Sequence, residues 1–246
     1  QSNPVLNNVT FQDNHDYCAK FVDSVPVLNN IDAIDTRYGL HSGGRGIAFE
    51  FWNSGGSIKN ANIIHSAGYG ILCNNASPVI ENVLIRETTE TPFICGIYIE
   101  NASRPRISNC TISDFYPPGL NKYYTDAAII ISEDCEPHIV STLITDNRNG
   151  ILNYAETLSM EHCNLWGNVE NNLIFAGNES GHLEITGTNS NGDPCDRFNN
   201  ISMDPLFTDV HEYRLTSGSP CIDAGSSEYA PDYDIEGTAR VGAPDI

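Results

Sequence analysis

The chain has 246 residues, of which 32 are acidic and 12 basic, for a net charge of -20. That charge opposes binding to nucleic-acid phosphates and to anionic membrane surfaces, and no stretch approaches the roughly 20 apolar residues of a membrane-spanning helix. What remains open is a protein with one sizeable core and a charge compatible with cation binding.

Taken in chain order, one pattern recurs. Leu6–Phe11, Leu28–Ala33, Ile58–Ile63, Ile80–Ile85, Ile107–Ile112, Ile139–Ile144 and Met160–Leu165 align without gaps. Their third slot reads Asn8, Asn30, Asn60, Asn82, Asn109, Ser141 and His162, and positions one, four and six are mostly apolar or small. A repeat of this kind, at intervals of about 20 to 30 residues, is the mark of a solenoid. A second short strand opens each coil: Gly46–Phe49, Gly70–Cys73, Gly96–Ile99, Ala128–Ile131, Gly150–Asn153 and Asn172–Phe175, with a weaker copy at Cys18–Phe21. Helical periodicity is absent. The expected fold is therefore all-β: a right-handed parallel β-helix of about seven coils over residues 1–177. Residues 178–246 form an irregular closing segment of the same domain. The asparagines should stack as a ladder at a sharp bend, because Asn tolerates left-handed backbone angles and its amide can pair with the next coil. His162 reads as the last ladder member rather than as a ligand.

Between the coils lie the candidates for chemistry. Residues 86–95 and 113–127 are insertions on adjacent coils, leaving at the same corner, where solenoids often build a binding surface. The slot two beyond each Asn strand reads Asp13, Asp35, His65, Glu87, Asp114 and Asp146. Carboxylates stacked about 5 Å apart repel, and a calcium ion bridging Glu87, Asp114 and Asp146 would relieve that; a solvated acidic edge is the alternative. A lyase acting on a uronate polymer needs a cation or Arg for the carboxylate, a base for the C5 proton and an acid for the leaving oxygen. Arg104 or Arg106 could hold the carboxylate and Lys122 or Tyr124 could be the base. Tyr98, on an outward slot, and Tyr123 are candidate ligand contacts. Paired carboxylates of the glycosidase kind do not stand out. The outward slots of the opening strand read Ala48, Leu72, Tyr98, Ile130, Leu152 and Ile174. That apolar stripe suggests cover by a loop, another domain or a second copy.

The eight cysteines read mainly as small buried residues. Cys110 and Cys163 share an inward slot two coils apart, about 10 Å, which is too far for a bridge. Cys195 and Cys221, outside the repeat, are the pair expected to form a disulfide. The six Asn-x-Ser/Thr sequons read as by-products of an Asn-rich repeat.

The tail reads Asp204-Pro-Leu-Phe207, Gly218-Ser-Pro-Cys-Ile-Asp-Ala-Gly225, Asp232-Tyr-Asp-Ile-Glu-Gly237 and Gly242-Ala-Pro-Asp-Ile246. It resembles the C-terminal segment of bacterial secreted right-handed parallel β-helix proteins, closely over 204–246 and loosely over the coils. The resemblance implies a secreted or cell-surface protein, with no membrane insertion. That superfamily includes polysaccharide lyases, epimerases and surface proteins. Two functions follow as expectations. One is a non-catalytic module for surface display, carbohydrate binding or assembly, engaging a polysaccharide or another copy through the stripe or an open first strand. The other is a calcium-assisted polysaccharide lyase.

Overall fold

The structure is a computed structural model; it describes residues 2–37, 46–86, 95–116, 126–175, 179–181, 183–209 and 212–246. Two parallel sheets run the length of the molecule. One stacks Val5–Gln12, Val27–Thr36, Ser57–Ser66 and Val79–Arg86, then three strands split at the bend: Arg106–Ser108 with Thr111–Ser113, His138–Val140 with Leu143–Thr145, and Ser159–Glu161 with Asn164–Trp166. The other stacks Tyr17–Val22, Ile47–Trp52, Tyr69–Asn74, Cys95–Glu100, Ala127–Ile131, Asn149–Asn153 and Asn171–Phe175. Neighbours in each stack are one coil apart in sequence, which is the topology of a parallel β-helix.

Its interior follows from the repeat. Leu28, Ile58, Ile80, Ile107 and Ile139 stand in one register row and are fully buried. Ile71, Ile97, Ile129 and Ile151 form the facing row, equally buried. Three strands of the second sheet carry glycine as their second residue, Gly70, Gly96 and Gly150, where the next coil crowds them. A Cβ on Gly96 would lie 2.6 Å from the Ala128 carbonyl oxygen and 2.6 Å from Ile112 Cγ2, closer than real carbon contacts allow.

The asparagine slot is a left-handed corner, as its residue type requires. The seven positions have φ of 56°, 55°, 51°, 58°, 52°, 46° and 52° in chain order. Asn30 Nδ2 donates to Asn8 Oδ1 at 2.5 Å and Asn82 Nδ2 to Asn60 Oδ1 at 2.7 Å, while Asn60 reaches Asn29 Oδ1 instead, at 2.8 Å. His162 donates from Nδ1 to the Ala224 carbonyl at 3.0 Å and accepts at Nε2 from Asn199 Nδ2 at 3.3 Å. One ring nitrogen is thus taken up by the returning tail and the other by Asn199, which, itself at φ 62°, extends the ladder by one step. Two further corners are built the same way. Asp13, Asp35, His65, Asp114 and Asp146 have φ between 54° and 67°, so the acidic slot is first of all a row of bend residues. Asp23, Asn53, Asn75, Asn101 and Asp134 form a third row, in which Asn53 donates to Asp23 and Asn75 to Asn53.

Past the last regular coil the chain adds a partial one, with Ile201 bridging Asn164 and His162 N donating to Phe198 O. It then returns as a strap over the ladder. Ser226 N donates to Ser141 Oγ at 2.8 Å, Tyr229 meets His138 and Arg106, and Tyr233 O accepts from Asn82 Nδ2 at 3.4 Å. The tail motif serves this return. Gly225 N donates to Pro244 O and Ile246 N to Cys221 O, and a Cβ on Gly225 would sit 2.7 Å from Asp245 O.

Two expectations are corrected. Cys195 and Cys221 are both free thiols: each turns to a different asparagine, Cys195 Sγ to Asn199 Oδ1 at 3.8 Å and Cys221 Sγ to Asn164 Nδ2 at 3.1 Å. The outward stripe is also misaligned at its start. Phe49 pairs with Ile71 and Glu50 with Leu72, two residues off the register read from the Gly46 start. Ala48 belongs to the core. The outward row is Lys20, Glu50, Leu72, Tyr98, Ile130, Leu152 and Ile174, and it opens with an ion pair, Lys20 Nζ to Glu50 Oε1 at 2.9 Å.

Candidate functional site

Tyr98 stands on the outer face of the second sheet, as its slot predicts. Its ring lies against Tyr69, with centroids 5.2 Å apart and planes at 42°, and its hydroxyl is 3.4 Å from Ser132 Oγ. Two residues further along each strand runs a parallel outward row, Val22, Trp52, Asn74 and Glu100. Ser132 and Tyr154 continue it, their amides donating to the Ile99 and Ile131 carbonyls of the preceding coils. Asn74 Nδ2 fixes the Glu100 carboxylate at 2.5 Å, and Asn101 Nδ2 donates to Asn74 Oδ1 at 3.1 Å. Tyr98, Glu100, Asn101, Ser132, Asp134 and Tyr154 thereby line an open cleft of about 480 Å³, with Tyr154 43% exposed. Among its described lining residues there is no Lys or Arg. Tyr154 and Glu100 are absent from the sequence-based expectation. The signal existed, because both occupy the outward position two beyond the Tyr98 slot in their coils.

The arginines behave differently from what a substrate clamp requires. Arg104 pairs with Glu136, Nε to Oε2 at 2.9 Å, on an exposed edge; the shared hydrogen bond raises the guanidinium pKa and lowers that of the carboxyl. Arg106 NH2 is 3.6 Å from Glu81 Oε2, and its guanidinium lies 4.5 Å from the Tyr229 ring centroid. Lys59 Nζ takes the other Glu81 oxygen at 2.8 Å. Both arginines are therefore held by the chain's own carboxylates.

Asp114 accepts a short hydrogen bond from the Tyr213 hydroxyl of the strap. Burial of that phenol, with the Asp114 hydrogen bond, pushes its pKa up. Asp146 accepts from Thr145 Oγ1 at 3.0 Å. Its carboxyl pKa is raised, first by the partial burial of the group and then by the charges of Asp114 and Asp204. Asp204 is thus a neighbour that spacing in the repeat could not reveal, since the returning tail brings it in. Among the described residues no group of three His, Cys, Asp or Glu side chains is arranged to hold a metal ion. Glu87, Lys122, Tyr123 and Tyr124 lie outside the described residues.

A third feature carries no sequence signature. Arg148, only 6% exposed in its side chain, bridges Asp126, fully buried, at 3.4 Å and Glu170 at 3.0 Å.

No curated protein sequence matches this chain. One solved structure, the crystal structure of pectate lyase Pel9A, superposes over 100% of this chain and 83% of its own, at 12% identity and a TM-score of 0.43. That likeness is too distant to inform activity. The sequence profile described as the right-handed beta helix region matches residues 1–190, the span that holds the stacked strands and their three corner ladders. The chain belongs to the right-handed β-helix family.

Proposed function

We propose that this protein is a non-catalytic carbohydrate-binding β-helix module, working outside the cell, with its glycan on the outer face of the second sheet. The observation that carries the reading is the cleft around Tyr98 and Tyr154. It pairs the exposed Tyr154 and the half-buried Tyr98 with fixed carboxylate and amide groups, the combination that stacks on a sugar ring and hydrogen-bonds its hydroxyls. Tyr98 and Tyr154 stand two coils apart, about 10 Å at about 4.8 Å per coil, which gives the cleft the length of more than one sugar ring. The resemblance of the tail to secreted β-helix proteins supports the extracellular setting. The pairing of Arg104 with Glu136 and of Arg106 with Glu81 favours binding over β-elimination, because neither cation is left to neutralise a uronate.

The test has two parts on the same protein. A panel of neutral, amino and uronate polysaccharides is titrated by calorimetry, with calcium and with chelator. The same panel is then followed by absorbance of the unsaturated product. Binding without absorbance is expected, and Tyr98→Ala should weaken it at least tenfold, about 1.4 kcal/mol. Absorbance that rises only with calcium would replace the module reading by a lyase. In that case Lys122, Tyr124, Arg104 and Arg106 become the residues to mutate, with Glu87, Asp114 and Asp146 as the calcium ligands.

A further inference from the structure

The asparagine ladder loses its hydrogen bonds at one described rung. Asn82 donates to Asn60, and Ser141 Oγ accepts from Ser226 N. Between them Asn109 keeps the left-handed corner at φ 52°, yet its Oδ1 and Nδ2 are both shielded from solvent and have no hydrogen-bond partner. Directly against it lies a cavity of about 140 Å³ between the ladder strands and the returning strap, lined among others by Tyr213, Asp234, Ile235 and Arg240. Arg240 Nε is also shielded and unpartnered. Three polar atoms at one cavity have lost water without gaining a partner, and native proteins fill such places with a group that pairs them.

We infer that this cavity is a binding site for one neutral, hydroxyl-rich residue, a hexose-type sugar. Two of the three atoms are donors, Asn109 Nδ2 and Arg240 Nε, and one is an acceptor, Asn109 Oδ1. A hydroxyl both donates and accepts, so adjacent hydroxyls on one ring can pair all three. Glu212, Asp234 and Asp245 also line the space, which disfavours a carboxylate ligand through like-charge repulsion. Ile235, Val83 and Leu84 offer an apolar surface for the ring. A metal ion does not fit the donor set, since no three ligating side chains converge there among the described residues. The site lies on the first sheet, under the strap, and does not rest on the Tyr98 cleft.

The experiment follows the Asn109 side-chain amide by NMR in the whole protein during titration with galactose, glucose and galacturonate. A saturable shift with a neutral hexose, and none with galacturonate, is expected. Arg240→Gln, followed by the same amide, and Asn109→Ser, followed by the backbone amides of Cys110 and Thr111 that line the cavity, should each weaken binding at least tenfold while leaving the circular dichroism unchanged; Ser141 shows that the corner accepts serine. Tyr98→Ala should leave this titration untouched, which separates it from failure of the cleft reading. No shift with any hexose, or equal shifts in wild type and Arg240→Gln, would overturn the assignment. The cavity would then hold ordered water, about four or five molecules at about 30 Å³ each.

Discussion

Replacing Asn82 by alanine tests whether the ladder stabilises the coils through hydrogen bonding and backbone geometry together. Asn82 is 3% exposed, sits at φ 58° and donates to Asn60 Oδ1 at 2.7 Å and to Tyr233 O at 3.4 Å. Losing the shorter bond and leaving the Asn60 oxygen without that donor costs about 2 kcal/mol. Holding alanine in the left-handed region adds about 1–2 kcal/mol. The expected loss is about 3 kcal/mol, or about 10 °C in Tm for a chain of this size. Asn82→Gly loses the same hydrogen bonds without the steric penalty, but gives up about 0.5–1 kcal/mol through the freer unfolded chain. It should therefore be the milder variant, by about 0.75 kcal/mol at the midpoints of those ranges. Urea unfolding followed by circular dichroism and by the fluorescence of Trp52 and Trp166 measures both, with coincident transitions checking that unfolding is cooperative along the solenoid. A glycine variant as damaged as the alanine variant, or an alanine loss below 1 kcal/mol, would refute the account of the corner.

The Asp126–Arg148–Glu170 bridge gives a second prediction. Arg148→Met takes the guanidinium away from the fully buried Asp126 and should cost about 3–5 kcal/mol, whereas the double change with Asp126→Leu should recover most of that in the same unfolding assay. The Arg104–Glu136 pair is fully exposed and screened by solvent, so Arg104→Ala should leave stability and glycan binding within error of wild type. Burial pushes the Cys110 and Cys163 thiols up to about 12. At pH 8 their thiolate fraction is then on the order of 1 in 10,000, and a thiol reagent should label them only after denaturant is added. Labelling of either in the folded protein would show the core to be open there.

How much of this was legible in the sequence varies with the reach of the interactions involved. The solenoid was legible because each coil repeats the same local demand. An inward apolar slot, a residue tolerant of left-handed angles and a small residue at the crowded start recur, and stacking identical coils turns that one-dimensional pattern into two sheets and a core. The Asn slot and the outward position of Tyr98 follow from it directly. Register at the first coils was less legible: Gly46 resembles the glycine starts that follow, and only the pairing of Phe49 with Ile71 and Glu50 with Leu72 reveals the slip of two residues that sets Ala48 opposite Gly70 rather than Leu72. An even slip preserves alternation, so the hydrophobic pattern alone does not expose it.

The sequence by itself determined the architecture, since its stabilising contacts join equivalent slots of neighbouring coils. The tertiary structure alone decided the rest, because the strap folds back across the ladder and joins residues far apart in the chain. Tyr213 meets Asp114, Tyr229 lies on Arg106, and Arg240 lines the same cavity as Asn109. None of these meetings repeats from coil to coil, so no period announces them. They set which carboxylates are neutralised, which polar atoms are left to a ligand and which thiols stay apart.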